Sequence, residues 1–353
     1  MMFEHPAFDS HEQVVHASDE ETGLTAIIAV HDTTLGPGLG GTRMRAYDSE
    51  EAALNDVLRL SSAMTAKAAA ADLELGGGKA VIIGEPEKKD EALLRAYGRA
   101  VDRLAGRYIT SVDVNTDVSD MDIIADETPY VTGRSDGLGD PSPITAQGVM
   151  YGIRACIEQV TGRQSLADVH VAIQGLGKVG TNLAEELLDR GATVSVTDIH
   201  DDHLEPFEEV SDARIVEPDS IYDVDCDVFA PCAFGGAVND ETIPRLNCDI
   251  VAGAANNILA SESRHSQVLH DNDMLYVPDY VLNAGGLITV ATEYFGGTRE
   301  EAFAEAQQIE SRVHRLIEQA KEQDITVLES AQRYVENRLA TTSQQPTQAV
   351  SSR

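Results

Sequence analysis

Apolar and polar positions fall into blocks along the chain that predict two successive α/β segments. Residues 24–30 (LTAIIAV) form a short continuous apolar run, the pattern of a buried strand. Residues 49–71 repeat Ala52, Leu54, Val57, Leu58 and Leu60 near the 3.6-residue period of a helix. Ser49 is placed to cap that helix, and Glu50 and Glu51 suit its first turn. Residues 79–83 (KAVII) predict a second strand, 90–105 a second helix and 108–112 (YITSV) a third strand. Gly133, Gly137, Gly139, Pro141 and Pro143 then crowd together, as in an interdomain hinge.

A helix over 144–161 leads into the second segment. Its strands are expected at 169–174 (VHVAIQ), 193–197 (TVSVT), 227–230 (DVFA), 249–252 (DIVA) and 275–277 (LYV), and a helical stretch covers 299–340. Alternating strands and helices indicate an α/β fold. The division expected is an open α/β domain over 1–140 and a Rossmann-type domain over 141–290. C-terminal helices over 291–340 are expected to pack back on the first domain, and the polar tail 341–353 to be disordered.

Composition narrows the function. Hydrophobic residues make up 42% of the 353, enough for a sizeable core. Sixty acids oppose 26 bases, a net charge of -34 spread along the whole chain. Neutralising phosphates needs clustered Lys and Arg, so nucleic acid is disfavoured as a partner, and so is an anionic membrane surface. No apolar run reaches the ~20 residues of a membrane span. The acidic N-terminus lacks the basic start of a signal peptide, so a cytoplasmic location is expected. Lysine is scarce: Lys67, Lys79, Lys88, Lys89, Lys178 and Lys321 are all there are. An acidic, lysine-poor surface suits a high-salt cytoplasm. Cys156, Cys226, Cys232 and Cys248 form no C-x-x-C pair, and no histidine pair has metal-binding spacing, so no metal is expected.

The segment VHVAIQ-GLGKVG-TNLAEELLDRGATVSVTD carries Gly175-x-Gly177-x-x-Gly180 between a strand and a helix, with a second strand ending in Asp198. That is the context a dinucleotide fingerprint requires. Gly175 permits the tight turn, Gly177 lets backbone approach a pyrophosphate, and Gly180 lets helix and strand pack closely. Asp198 stands where a carboxylate accepts the adenosine ribose hydroxyls and repels a 2′-phosphate, which favours NAD over NADP.

Lys67 and Lys79 sit in MTAKAAAADLELGGGKAVI, one late in a helix and one after three glycines at a strand start. Consecutive glycines suggest backbone passing close to something else. Two neighbouring cations lower each other's proton affinity. One would then hold an anionic substrate group while the other serves as a base. Asp113, in ITSVDVNTDVSDMD, follows the third strand, at the end where active sites of open sheets gather. Asp117, Asp120 and Asp122 fit a solvated helix start.

The blocks HDTTLGPGLGGTRM, MTAK, GGGK, YITSVDV, PSPITAQGV, QGLGKVG, APCAFGGAVNDETI, AGAANN and PDYVLNAGG together closely resemble the Glu/Leu/Phe/Val dehydrogenases, from about residue 13 to 338. The leucine branch is the most similar. The resemblance implies an NAD-dependent enzyme that converts an L-amino acid, NAD and water into the 2-oxo acid, NADH and ammonia. It implies that Lys67 holds the substrate α-carboxylate, helped by Asn257 and the backbone around Gly40 and Gly41. Lys79 would activate the attacking water, and Asp113 would exchange protons with the amino nitrogen. Thr145 and Asn256 resemble positions that contact the nicotinamide half. Leu176, Lys178, Val179 and Cys232 complete the cofactor set with Gly175, Gly177, Gly180 and Asp198. The first domain would bind substrate and support a homo-oligomer, and closure of a cleft would exclude water.

Glutamate-specific relatives carry lysine in the position of Leu39 and serine in that of Val290. Here both are apolar, and a carboxylate buried without a partner costs several kcal/mol. Leu39, Leu287 and Val290 would instead form a pocket for leucine, valine or isoleucine. Ser111 stands where the leucine branch commonly has alanine, and Gly180 matches the glutamate and phenylalanine branches. Phenylalanine and glutamate dehydrogenases remain alternative identities. A catalytically silent NAD-binding regulator is a third class, but it has no need of Lys67, Lys79 and Asp113 together. A hydroxy-acid dehydrogenase would need a histidine base, and no histidine lies in a matching position.

The charge gives a first test. Lowering salt lengthens the Debye distance from ~3 Å at 1 M to ~10 Å at 0.1 M, so carboxylate repulsion grows over the surface. The melting temperature is expected to rise between 0.1 M and 2 M KCl; a flat or falling curve would refute the halophilic reading.

Overall fold

The computed structural model describes residues 2–210 and 212–343. The chain divides into two compact units. The first comprises Met1–Gly139 with Val290–Gly297 and Val335–Arg353, and the second comprises Asp140–Thr289 with Thr298–Tyr334.

The first unit is built on a five-stranded sheet. Its strands are β1 (Gln13–Asp19), β2 (Leu24–Asp32), β3 (Gly38–Arg45), β4 (Gly76–Ile83) and β5 (Tyr108–Val112), in the order β1-β2-β4-β3-β5. The β1–β2 and β2–β4 pairs are antiparallel, and β3 runs parallel to both β4 and β5. Helix α1 (Glu50–Ala70) covers one face, where Ile27, Ala29 and Val81 cluster with Ala53, Val57 and Leu58. Helices α2 (Glu91–Asp102) and α3 (Val118–Ala125) supply the other, where Ile28, Val30, Ala80 and Ile82 meet Tyr97, Met121 and Ile124. A strand buried on both faces has no polar alternation, which is why LTAIIAV reads as a continuous apolar run. Ser49 caps α1 through the Ala52 N–H. At the other end of α1, the Arg338 guanidinium donates to the carbonyls of Ala69 at 2.7 Å and Leu73 at 2.9 Å. A cation there complements the helix dipole.

The glycines before Lys79 lie in β4 and leave no room for a side chain. A Cβ on Gly77 would stand 2.1 Å from Thr65 Oγ1 and 2.4 Å from the Ser61 carbonyl of α1. One on Gly78 would meet the Tyr108 ring at 2.6 Å. The close approach expected there is thus helix and ring packing.

The second unit contains a six-stranded, wholly parallel sheet. Its strands are β6 (His170–Gln174), β7 (Thr193–Thr197), β8 (Ala213–Ile215), β9 (Val228–Pro231), β10 (Ile250–Val251) and β11 (Leu275–Tyr276), in the order β11-β10-β9-β6-β7-β8. Read from β8, this is the 3-2-1-4-5-6 order of a doubly wound dinucleotide fold, with the strand order reversing between β6 and β9. Helices α4 (Ser142–Thr161) and α5 (Lys178–Leu188) pack on each other.

The later helices depart from expectation. Arg299–Gln307 and Ile309–Gln323 belong to the second unit, and only 290–297 and the end of Val327–Ser343 group with the first. Gly148 and Gly152 of α4 explain this. A Cβ on Gly148 would stand 2.6 Å from Ile309 Cδ1, so these glycines admit the apolar face of the 309–323 helix. Of the tail, 341–343 is helical, and 344–353 lies outside the described residues. No described helix is long and apolar enough to cross a membrane.

Candidate active site

Lys79 and Asp113 meet in the first unit. Lys79 Nζ lies 2.7 Å from Asp113 Oδ2, with the two side chains 9% and 18% exposed. Lys79 stands on β4, and Asp113 follows the last residue of β5, with β3 lying between those strands. Gly41 of β3 pairs in register with Ser111, and a Cβ on it would stand 2.8 Å from Asp113 Cβ and 2.4 Å from the Val112 carbonyl. Glycine at 41 therefore leaves the space through which Asp113 reaches across to Lys79. A Cβ on Gly40 would be 1.8 Å from the Gly78 carbonyl, and the Gly40 carbonyl accepts from Tyr108 Oη at 2.7 Å.

Two residues that the sequence reading missed complete this cluster. Arg43 Nε stands 3.3 Å from Asp113 Oδ2, and Arg43 NH1 stands 3.0 Å from Asp56 Oδ2, which also accepts from Tyr47 Oη at 2.7 Å. The charges alternate along Lys79, Asp113, Arg43 and Asp56. Burial raises the proton affinity of Asp113, but the nearby cations Lys79 and Arg43 outweigh it and hold the carboxyl below its ordinary value. The signal for Arg43 was its place in GTRM, two residues beyond Gly41. Asp117 caps α3 and forms a capping box with Asp120. Asp120 is buried and paired with Lys89, so it is not the solvated residue expected.

Lys67 is half-buried in the last turn of α1. Leu39 is buried in β3 beside Gly77 and Ile109. The Ser111 hydroxyl is buried with no hydrogen-bond partner, beside Gly133, where a Cβ would stand 3.0 Å from it. Val290 also belongs to the first unit, and Leu287 to the second.

The glycine loop of the second unit follows β6. Gly175 has φ of +98°, and a Cβ there would meet Ala233 at 2.6 Å. A Cβ on Gly180 would lie 2.0 Å from the Gly175 carbonyl, the close helix–strand contact expected. Gly177 instead faces open space, with no atom within 4 Å of an added Cβ. It precedes Lys178 and Val179 at the start of α5, where no side chain caps the free N–H groups. That is a place for an anion. Lys178 Nζ stands 3.3 Å from Asp140 Oδ2.

Asp198 anchors the loop. Its Oδ2 accepts the Leu176 N–H at 2.6 Å and its Oδ1 the His200 N–H at 2.9 Å. Burial works against its ionisation, but these two N–H groups, together with His203, hold the carboxyl below its usual value. A cavity of about 320 Å³ opens beside it, and Cys232 and Gly177 contribute to the lining. Burial pushes the Cys232 thiol up to about 12. Ile199 and Phe234 also line the cavity, although they are 67% and 73% exposed. Sequence reasoning passed over both. Large apolar side chains held open over a cavity suit a flat aromatic ring.

Thr145 lies in the first turn of α4 and donates to the Pro141 carbonyl at 3.0 Å. Gly285 packs on it, with an added Cβ 2.5 Å from Thr145 Cα. Asn256 Oδ1 accepts from Asn283 Nδ2 at 2.9 Å. Asn257 has φ of +55°, and its carbonyl accepts the Gly236 N–H. Among the described residues, Glu158, Glu310 and His314 are the one group with three possible metal-ligand atoms within 4.8 Å of one another. Glu310 is already paired with Arg154, and His314 lies 3.2 Å from both Glu158 and Gln159.

Residues 10–130 match the description "Glu/Leu/Phe/Val dehydrogenase, dimerisation domain", and residues 137–201 and 195–347 match "Glutamate/Leucine/Phenylalanine/Valine dehydrogenase". The chain is similar to the leucine dehydrogenase of Bacillus cereus, 49% identical over 343 residues, which is 96% of this chain and 93% of that protein. It is 47% identical over 333 residues to the phenylalanine dehydrogenase of Lysinibacillus sphaericus, covering 92% and 87%. The crystal structure of L-tryptophan dehydrogenase from Nostoc punctiforme superposes with a TM-score of 0.86 at 46% identity, covering 95% and 97% of the two chains.

Gly177 provides a test that separates binding from folding. Its open surroundings and negative φ leave Gly177→Ala without a clash in the protein. The variant is expected to melt within a few degrees of wild type yet bind NADH at least about ten-fold more weakly, ~1.4 kcal/mol. Unchanged affinity by calorimetry would show that the nucleotide does not come close to the backbone at Gly177.

Proposed function

The chain belongs to the Glu/Leu/Phe/Val dehydrogenase family, and from that premise we propose that this amino-acid dehydrogenase deaminates branched-chain L-amino acids with NAD, reversibly. The observation that carries the chemistry is the 2.7 Å contact between Lys79 and Asp113. Bound NAD supplies the hydride acceptor. Gly177 and the free N–H groups at the start of α5 would hold its pyrophosphate, and Asp198 its adenosine ribose.

The substrate amine must be neutral before Cα can release hydride. Asp113 is the group to take that proton. Loss of hydride leaves an iminium, which water attacks at Cα. Lys79, as the neutral amine, would orient that water and accept its proton, and Asp113 would return the proton it took to the nitrogen as ammonia leaves. Arg43 keeps Asp113 ionised and fixed. Lys67 would hold the α-carboxylate, with Asn257 and the backbone at Gly40 and Gly41. Thr145 and Asn256 would orient the carboxamide end of the cofactor.

Leu39, Leu287 and Val290 support an aliphatic side chain over glutamate, because a carboxylate among them would lose its water and gain no donor. A second reading is an aromatic substrate, favoured by the small Ser111 and by similarity to tryptophan and phenylalanine dehydrogenases. Apolar pockets separate substrates differing by a methylene by only ~1–3 kcal/mol. A homo-oligomer is part of the proposal, supported by the dimerisation-domain match over 10–130.

NADH formation from a panel of L-amino acids in molar KCl tests the substrate. Leucine, valine and isoleucine are expected to lead, with glutamate inert. Equal efficiency with glutamate would overturn the pocket assignment, whereas a clear preference for phenylalanine or tryptophan would select the second reading. Lys79→Ala is expected to abolish turnover and spare NADH binding. Retention of more than about a tenth of wild-type kcat, a loss under ~1.4 kcal/mol, would remove Lys79 from the chemistry.

A further inference from the structure

The adenosine end of the second-unit cavity carries two histidines that bear on which nucleotide it accepts. The chain reads Asp198-Ile199-His200-Asp201-Asp202-His203 immediately after β7. A one-turn helix, Asp201–Leu204, folds His203 back so that its Nδ1 lies 3.3 Å from Asp198 Oδ1. The His200 and His203 rings stand 5.2 Å apart, edge to face at 69°. Both line the 320 Å³ cavity together with Asp198. A lone carboxylate at the end of the second strand repels a 2′-phosphate. Here the carboxylate is shared: each oxygen accepts a backbone N–H, and an imidazole stands against one of them.

We propose that His200 and His203 form a proton-controlled subsite for the adenosine 2′-phosphate, so that the enzyme accepts 2′-phosphorylated dinucleotides when the pair is protonated and excludes them when it is neutral. The inference rests on the dinucleotide reading of this cavity. With both rings neutral, the one charged side chain in the cavity lining is Asp198, and a phosphate is repelled. With both protonated, two cations face that one carboxylate in the lining. Both nitrogens of an imidazolium are donors, so His203 can contact Asp198 through Nδ1 and still offer Nε2 to a phosphate oxygen. Histidine is the side chain whose ordinary titration falls between pH 5 and 8.

The other charged groups around the pair do not supply this switch. Asp201, Arg214 and Glu217 line a separate cavity, of about 500 Å³, that also includes Asp198. Asp202 and Glu205 flank His203 in the chain. All five are exposed, so water and salt screen what they contribute over distance.

The test compares ADP-ribose with its 2′-phosphorylated form by calorimetry at pH 6.0 and 8.5, at fixed KCl, on the full chain. A phosphate monoester itself gains a proton near pH 6, so the wild-type slope alone is not diagnostic. The comparison that counts is with His203→Gln and His203→Arg. For wild type, the affinity ratio of the two ligands is expected to shift toward the 2′-phosphate at least about ten-fold on acidification. His203→Gln should retain less than a third of that shift, the ratio being taken between the two ligands on the variant itself so that any change in ADP-ribose affinity cancels. His203→Arg should bind the 2′-phosphate at pH 8.5 better than wild type does. An undiminished shift in His203→Gln, or no gain in His203→Arg, overturns the subsite. Failure of ADP-ribose to bind wild type would instead overturn the dinucleotide reading, and the subsite with it, whereas failure of the 2′-phosphorylated form alone at pH 6.0 overturns only the subsite.

Discussion

Burying an ion pair constrains the first unit more than any other single requirement. Taking a carboxylate and an ammonium out of water costs several kcal/mol each, and the loss is recovered only with close geometry and further partners. Lys79 and Asp113 meet that condition because the surrounding structure is arranged around them. Arg43 adds a second cation to the same carboxylate oxygen, and Asp56 and Tyr47 balance Arg43 in turn. Removing Asp113 would take from Lys79 the carboxylate it meets, whereas removing Lys79 or Arg43 would leave Asp113 one cation.

The same constraint explains the glycines. Asp113 reaches over β3 because Gly41 has no side chain, and β4 lies under α1 because Gly77 has none. In the second unit Gly180 lets the helix pack on the loop after β6 and Gly175 closes against Ala233, whereas Gly177 opens onto empty space. Glycines that look alike in the chain therefore divide into those closing on protein and one left open for something else. Only the atoms around each distinguish the two kinds.

Much of this was legible in the sequence. Periodicity located α1, β5, α4, β6 and β7 closely, because each buries a face with a regular repeat. Strand β3 was missed since GLGGTRMR has three glycines and no apolar alternation, although it lies between β4 and β5. Strand β1 was missed because QVVHASD, at the edge of the sheet, is only half-buried. The lysine–aspartate pair was anticipated as two separate candidates. Their contact, and the part of Arg43, depend on a register between strands far apart in sequence. The grouping of 298–334 with the second unit was hidden for a similar reason: Gly148 and Gly152 read as ordinary small helix residues until Ile309 and Leu282 are seen against them.

The position of Lys79 within the sheet has a consequence for how the ion pair is held. Strand β4 is hydrogen-bonded on both sides, antiparallel to β2 and parallel to β3, and Lys79 itself pairs with Ala29. Backbone amides in such a strand exchange with solvent only through the largest opening a unit can make. Asp113 lies beyond the end of β5, where its own N–H reaches only the Thr116 hydroxyl. The ammonium is thus fixed by the sheet, and the carboxylate by the turn after β5, which Asn115 and Thr116 tie back to β3.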